Sequence, residues 1–114
     1  RTLISFPGLR DPGLAADWKL ETNAVERERL DSPERRKVNV DIGYLDFSKV
    51  VLLSMKPLGC KVYLNRGVYA HVVLTYAKGH YIPSPQGFAD FSGGEYHGDL
   101  LCIRGLLRKE NRSE

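Results

Sequence analysis

Apolar and polar positions alternate with a period of two through the middle of this chain and with helical spacing towards either end. The stretch "LRDPGLAADWKLETNAVERERL" sets Leu14, Trp18 and Val25 on one helical stripe, with Leu20 and Ala24 nearby. Lys19, Glu21, Asn23, Glu26, Arg27 and Glu28 fill the opposite side. Asp11 is a good N-cap and Pro12 suits the first helical position, so the spacing predicts a helix over about 12–29. The short apolar run "LISF" at 3–6 reads equally as a strand or as the end of a helix. The charges and proline of "DSPERRK", 31–37, read as a loop.

Residues 38–44 place Val38, Val40, Ile42 and Tyr44 in alternation with Asn39, Asp41 and Gly43. That is the period of a half-buried strand. "KVVLLSM", 49–55, is apolar on both faces, as a central strand covered on both sides would be. "KPLG", 56–59, is a turn, and "CKVYL" and "VYAHVVLTY" are strands joined by "NRG", 65–67. A three-residue loop ending in Gly predicts a hairpin with a bulge. "AKGH", 77–80, is another tight turn, and "YIP" a short last strand.

"SPQGFADFSGGE", 84–95, is a Gly-rich loop that ends at a helix, "EYHGDLLCIRGLLRKE". Tyr96, Leu100, Ile103 and Leu107 share one face of that helix. Gly98 and Gly105 weaken it, each by about 1 kcal/mol relative to Ala. The order helix, four or five antiparallel strands, helix predicts an α+β domain, with helices packed on one face of the sheet.

With 114 residues the chain fits one domain with a modest core. Hydrophobic residues at 42% and charged residues at 27% are ordinary for a soluble protein. A net charge of +3 leans towards anionic partners but is small for a dedicated nucleic-acid binder. Cys60 and Cys102 form no CxxC pair, which excludes a zinc ribbon or thioredoxin-type motif, and they read as two buried thiols. No apolar run approaches the roughly 20 residues of a membrane span, and no signal-peptide pattern is present. A cytoplasmic location without membrane contact is the expectation. "RTLISF" opens without an initiator Met, so the natural protein is expected to extend upstream.

In the hairpin register that the "NRG" loop implies, Leu64 faces Val68, Val62 faces Ala70, Tyr63 faces Tyr69 and Lys61 faces His71. Val62, Leu64, Val68, Ala70, Val72 and Leu74 then form the core side. The other side carries two adjacent tyrosines, a stacking platform, and a Lys that disfavours protonation of the His. If the 38–44 strand shares that face, Asp41 balances Lys61 and His71. The functional reading is a polar concavity of Asn39, Asp41, Lys61, Tyr63, Tyr69 and His71; the bland one is a solvated face with ordinary cross-strand pairs.

Catalytic templates fit poorly. His71, His80 and His97 have no HxH or HExxH spacing, so no metal site is expected. Cys60 and His71 would be near each other but on opposite faces, which argues against a nucleophilic pair. No GxxxxGK[ST] or GxGxxG loop occurs, so no phosphate cradle and no cofactor are signalled. The tyrosine face, with Lys61, Arg66 and Lys78, resembles a base-stacking platform in principle, without the aromatic strand motifs of an RRM.

The segments "RKVNVDIGYL", "KVVLLSMK" and "KVYLNRGVYAHVVLTY", and more weakly "LAADWKLETNAVE" and "GFADF", resemble domain-of-unknown-function family 4416, an uncharacterised bacterial family. The likeness looks like the C-terminal two-thirds of that domain. Arg36, Asn39, Asp41, Gly43, Tyr44, Lys56, Tyr63, Leu64, Gly67, Tyr69 and Asp90 match its pattern. Ile42 stands where a proline is usual, Cys60 and Lys61 where a His-Arg pair is usual, and His71 where a glutamate is usual. A cross-strand Arg–Glu pair would thus be replaced by Lys61 and His71.

The family implies no activity. The residues support a ligand-binding or enzyme-like domain using Asn39, Asp41, Tyr44, Lys56, Lys61, Tyr63, Tyr69, His71 and Asp90 for a small polar or anionic ligand. In that reading Asp41 orients the ligand, Lys56 neutralises an anionic group and the tyrosines stack or hydrogen-bond. A protein- or RNA-interaction module using the Tyr63/Tyr69 face is the alternative, and a second copy completing the sheet is a third.

Overall fold

The structure is a computed structural model that describes residues 2–30, 40–85, 91 and 93–112. A 3₁₀ turn, Pro12–Leu14, leads into helix α1, Ala15–Leu30. Strands β1 (Gly43–Leu45), β2 (Lys49–Ser54), β3 (Val62–Asn65), β4 (Val68–Ala77) and β5 (His80–Pro83) follow, then helix α2, His97–Arg112. The five strands form one antiparallel sheet in the order β1-β2-β4-β3, with β5 also paired to β4. This is the expected α+β class. The chain divides into two compact units, one of Arg1–Arg10, Leu45–Val51 and Val72–Glu114, the other of Asp11–Tyr44 and Leu52–His71.

In the second unit, Asp11 caps the first helical turn by accepting the Gly13 N–H at 2.8 Å. Pro12 follows at the position that needs no donor. The inward side of α1 differs from the expected stripe. Ala15, Ala16 and Lys19 are buried, whereas Leu14 and Val25 are exposed. Leu14 belongs to the 3₁₀ turn, whose tighter winding puts it out of phase with the α-helix that follows.

The hairpin β3–β4 has the predicted pairs Val62↔Ala70 and Tyr63↔Tyr69, but Asn65, not Leu64, faces Val68. Leu64 is the extra residue of a bulge inside β3. The loop is therefore two residues long. Arg66 and Gly67 both have positive φ, 48° and 82°, as a type I′ turn requires. The expected core side is only half realised: Val68 is buried, while Val62 and Leu64 are exposed on the edge strand.

In the first unit, Asp46 closes the β1–β2 turn, accepting from Ser48 N, Ser48 Oγ and Lys49 N through one carboxylate oxygen and from Lys49 Nζ through the other. The β4–β5 turn repeats the type I′ form with Lys78 and Gly79 at φ 50° and 85°. Residues 3–6 adopt neither strand nor helix, and Ile4 and Phe6 are exposed. Tyr96 and Leu100 are buried and Ile103 and Leu107 half-buried, as the α2 spacing predicts. The helix lies against the β4–β5 hairpin, with the His97 ring 6.1 Å from that of Tyr81 and Arg104 over Tyr76.

Val73 and Leu74, neighbours in β4, are each 0% exposed, and Val50 to Leu53 in β2 are all buried. Successive strand residues point to opposite faces, so both faces of the sheet are covered at these two strands. Each such side chain contributes about 1.5–3 kcal/mol by leaving water. The two cysteines depart from expectation, since both are exposed. Cys60 sits in the turn before β3, and Cys102 is two residues from Leu100, which turns it about 200° around the helix to the outer side.

Candidate functional site

The residues with candidate chemistry divide by strand. Asn39 and Asp90 lie outside the described residues. Asp41 is exposed just before β1, and Tyr44 is half-buried within it. Leu53 N–H donates to Ile42 O at 3.0 Å, which pairs this segment with β2. β2 and β4 therefore stand between Tyr44 and the tyrosines of β3. Three strand spacings of about 4.8 Å separate them by roughly 14 Å. Asp41 and Tyr44 are not side-by-side neighbours of Tyr63.

The hairpin and the end of β2 do bring residues together. Ser54 Oγ accepts the Lys56 backbone N–H at 3.0 Å and the Lys61 ammonium at 3.1 Å. Ser54 is not among the residues that the sequence singles out. A small hydroxyl after an apolar run carries no signal until the turn folds the two lysines around it. Lys61 also acts on His71, its expected cross-strand partner. Burial first, and then the Lys61 charge, holds the His71 imidazole below its ordinary value. His71 is 4% exposed, so it belongs to the covered interior of β4 and not to an open polar face.

The tyrosines meet as the register predicts, but edge to face. Their ring centroids are 5.1 Å apart with 61° between planes. Tyr63 is 56% exposed and Tyr69 half-buried behind it. Tyr63 Oη accepts the Gly67 N–H at 3.4 Å, which fixes the ring against the turn. At the hairpin tip, Arg66 pairs with Asp17 in the first turn of α1 and donates from Nε to Asn65 Oδ1 at 3.0 Å. The Arg66–Asp17 contact spans 49 residues and has no local sequence signature.

All of β3 is exposed, with Val62 at 62% and Leu64 at 39% beside Tyr63. It is the outer strand of the sheet order and pairs with β4. Among the described residues no group of three His, Cys, Asp or Glu side chains converges on a point where a metal ion would sit. Among the same residues no helix is long and apolar enough to cross a membrane.

Comparison with known proteins finds no curated protein and no solved structure with a significant match. The family model described as "Domain of unknown function (DUF4416)" matches residues 1–106, which include every segment that carries the resemblance in sequence. With a match over most of its length, the chain belongs to the DUF4416 family.

Proposed function

We propose that this domain is a protein-interaction module that takes an extended, acid-bearing peptide segment onto the β3 edge. The observation that carries the reading is the exposure of all four residues of β3, three of them apolar or aromatic. Edge strands are commonly guarded by charges or proline. Residues 62–65 have neither, and the bulge at Leu64 is the one interruption. An added strand would gain main-chain hydrogen bonds from the edge and side-chain contacts from Val62, Tyr63 and Leu64. Lys56 and Lys61 precede the strand, so carboxylates on the incoming segment complement it. A second copy would bring the same cations to the same edge, which disfavours self-pairing. Edge-to-face tyrosines present no flat pair for successive bases, and that favours peptide over RNA. A bacterial, cytoplasmic setting belongs to the same reading and suits two exposed thiols.

A small polar or anionic ligand is the second reading, favoured by the Lys61 ammonium and the Lys56 backbone N–H that meet at Ser54 Oγ. It has less support, because Asp41 and Tyr44 stand strands away and His71 is sealed.

The test is an amide-resonance titration with a ten-residue peptide of alternating Val and Thr flanked by glutamates. Shifts confined to Val62–Asn65, with binding weakened about thirtyfold by Tyr63→Ala, are expected. Binding of oligouridylate that Tyr63→Ala abolishes, or concentration-dependent dimers through β3, would instead assign the edge to RNA or to self-association and overturn the proposal.

A further inference from the structure

We propose that Arg104 and Tyr81 form a receiving site for an oxyanion, a carboxylate or phosphate group, at the outer end of the β4–β5 hairpin. Arg104 is held as a ready-made fork. Its Cζ lies 3.6 Å over the Tyr76 ring centroid and 5.6 Å from that of Phe47, and its Nε donates to Phe47 O at 3.1 Å. Stacking and a backbone carbonyl thus fix the guanidinium plane, and its Nη groups have no carboxylate partner among the described residues. The nearby acid does not serve. Asp46 is occupied by Ser48 and Lys49.

Tyr81 supplies the second, independent observation. It is 5% exposed, its ring meets Tyr76 edge-on at 5.6 Å, and its Oη has no hydrogen-bond partner among the described residues. A buried phenol without a partner is costly and calls for a bound polar atom. Tyr76 joins the two groups: the Arg104 guanidinium lies over its ring face and the Tyr81 ring meets it edge-on. Burial, the largest influence, pushes the proton affinity of the Tyr81 phenol up, so it stays an O–H donor at neutral pH.

An oxyanion would accept two parallel N–H bonds from the guanidinium edge and one O–H bond from Tyr81. Phe47 is exposed and Arg104 and Tyr76 are half-buried, whereas the Tyr81 hydroxyl is buried, so an anion would meet the guanidinium first and the phenol behind it. No conventional phosphate loop is involved, and Arg104, Tyr81 and Phe47 lie far apart in the sequence.

The test uses the intact chain, labelled with nitrogen-15 and titrated with sodium phosphate and separately with sodium acetate at constant ionic strength. The Arg104 Nε–Hε resonance and the Phe47 and Tyr81 amides are expected to shift and saturate in the range of about 1–10 mM. Saturation by phosphate alone, or by acetate alone, supports the site and identifies its ligand class. Arg104→Lys, which keeps the charge but loses the fork, should weaken binding at least about tenfold. Tyr81→Phe should weaken it about tenfold with the fold intact. Shifts that are linear and matched by sodium chloride overturn the proposal. So does Tyr81→Phe with unchanged affinity, or a crystal grown in phosphate with only water on the Tyr81 hydroxyl.

Discussion

Tyr63 and Tyr69 meet edge to face across the β3–β4 hairpin, one ring in water and the other half-buried behind it. The pair therefore does two jobs: it pins the edge strand to the central one, and it presents a ring to solvent. Its coupling is measurable apart from any ligand. In a double-mutant cycle with Tyr63→Leu and Tyr69→Leu, followed by urea unfolding, an interaction of about 0.5–1.5 kcal/mol is expected. Additive losses would mean that the rings are neighbours without mutual stabilisation.

Lys61 and His71 give a pH signature. Folding lowers the His71 proton affinity, through burial first and the Lys61 charge second. Below the ordinary histidine value of 6.5 the unfolded chain then binds a proton that the folded chain resists. Stability from this group is full above about pH 6.5 and falls as the pH drops towards the folded value. The Asp46 carboxyl acts in a lower window. Burial raises its proton affinity, but the bonds from Lys49 and Ser48 and the Lys49 charge outweigh that. Its contribution is present above its ordinary value of 3.8 and lost only on acidification below it. His71→Gln should therefore flatten denaturation midpoints below about pH 6.5 and leave in place the loss that Asp46 contributes on acidification below 3.8. Lys61→Met should move the His71 ring-proton titration up part of the way, because burial remains. A slope unchanged by His71→Gln would assign the pH dependence elsewhere.

Both hairpin turns demand positive φ of two successive residues, and only the second of each pair is glycine. Gly67 and Gly79 have φ of 82° and 85°, and a Cβ at Gly67 would also lie 3.4 Å from Met55 Cε. Alanine at either is expected to cost about 1–2 kcal/mol through its positive φ, since the Met55 methyl at 3.4 Å can move aside. The preceding Lys78 already has a side chain at φ 50°. Asparagine suits that position better, so Lys78→Asn should stabilise by about 0.4–1 kcal/mol in thermal or urea unfolding. A destabilised Lys78→Asn would show that the lysine makes a contact worth more than its backbone strain.

Legibility in the sequence followed how local each determinant is. The α1 start, α2, the apolar β2 and the tyrosine cross-strand pair rest on caps and short periodicities, and all four are present. The slip came at Leu64, where one extra residue in β3 keeps the outer pairs but changes the pair next to the loop and shortens that loop. Burial of His71 was not readable either. A strand flanked on both sides seals polar and apolar positions alike, and the alternation of β4 alone does not show what lies above it. The concavity expected from the sequence takes three strand segments as if they shared one patch. Strand order, which no local pattern encodes, sets Asp41 and Tyr44 on the far side of β2 and β4.

Tyr81 offers a sharper test of what its hydroxyl is for. In the folded chain the phenol oxygen is buried and makes no hydrogen bond among the described residues. Its ring nevertheless packs against Tyr76 and His97. Tyr81→Phe keeps the ring and removes the desolvated oxygen. If the hydroxyl contributes nothing to the fold, the substitution should leave stability unchanged or raise it by about 1–3 kcal/mol in phosphate-free buffer. Adding phosphate should then stabilise the parent chain by mass action more than it stabilises the Phe variant. Both are read as shifts in the urea midpoint at fixed ionic strength. A Phe variant that is less stable without any anion would show that the hydroxyl holds the native packing itself, and its retention in the core would then need no ligand.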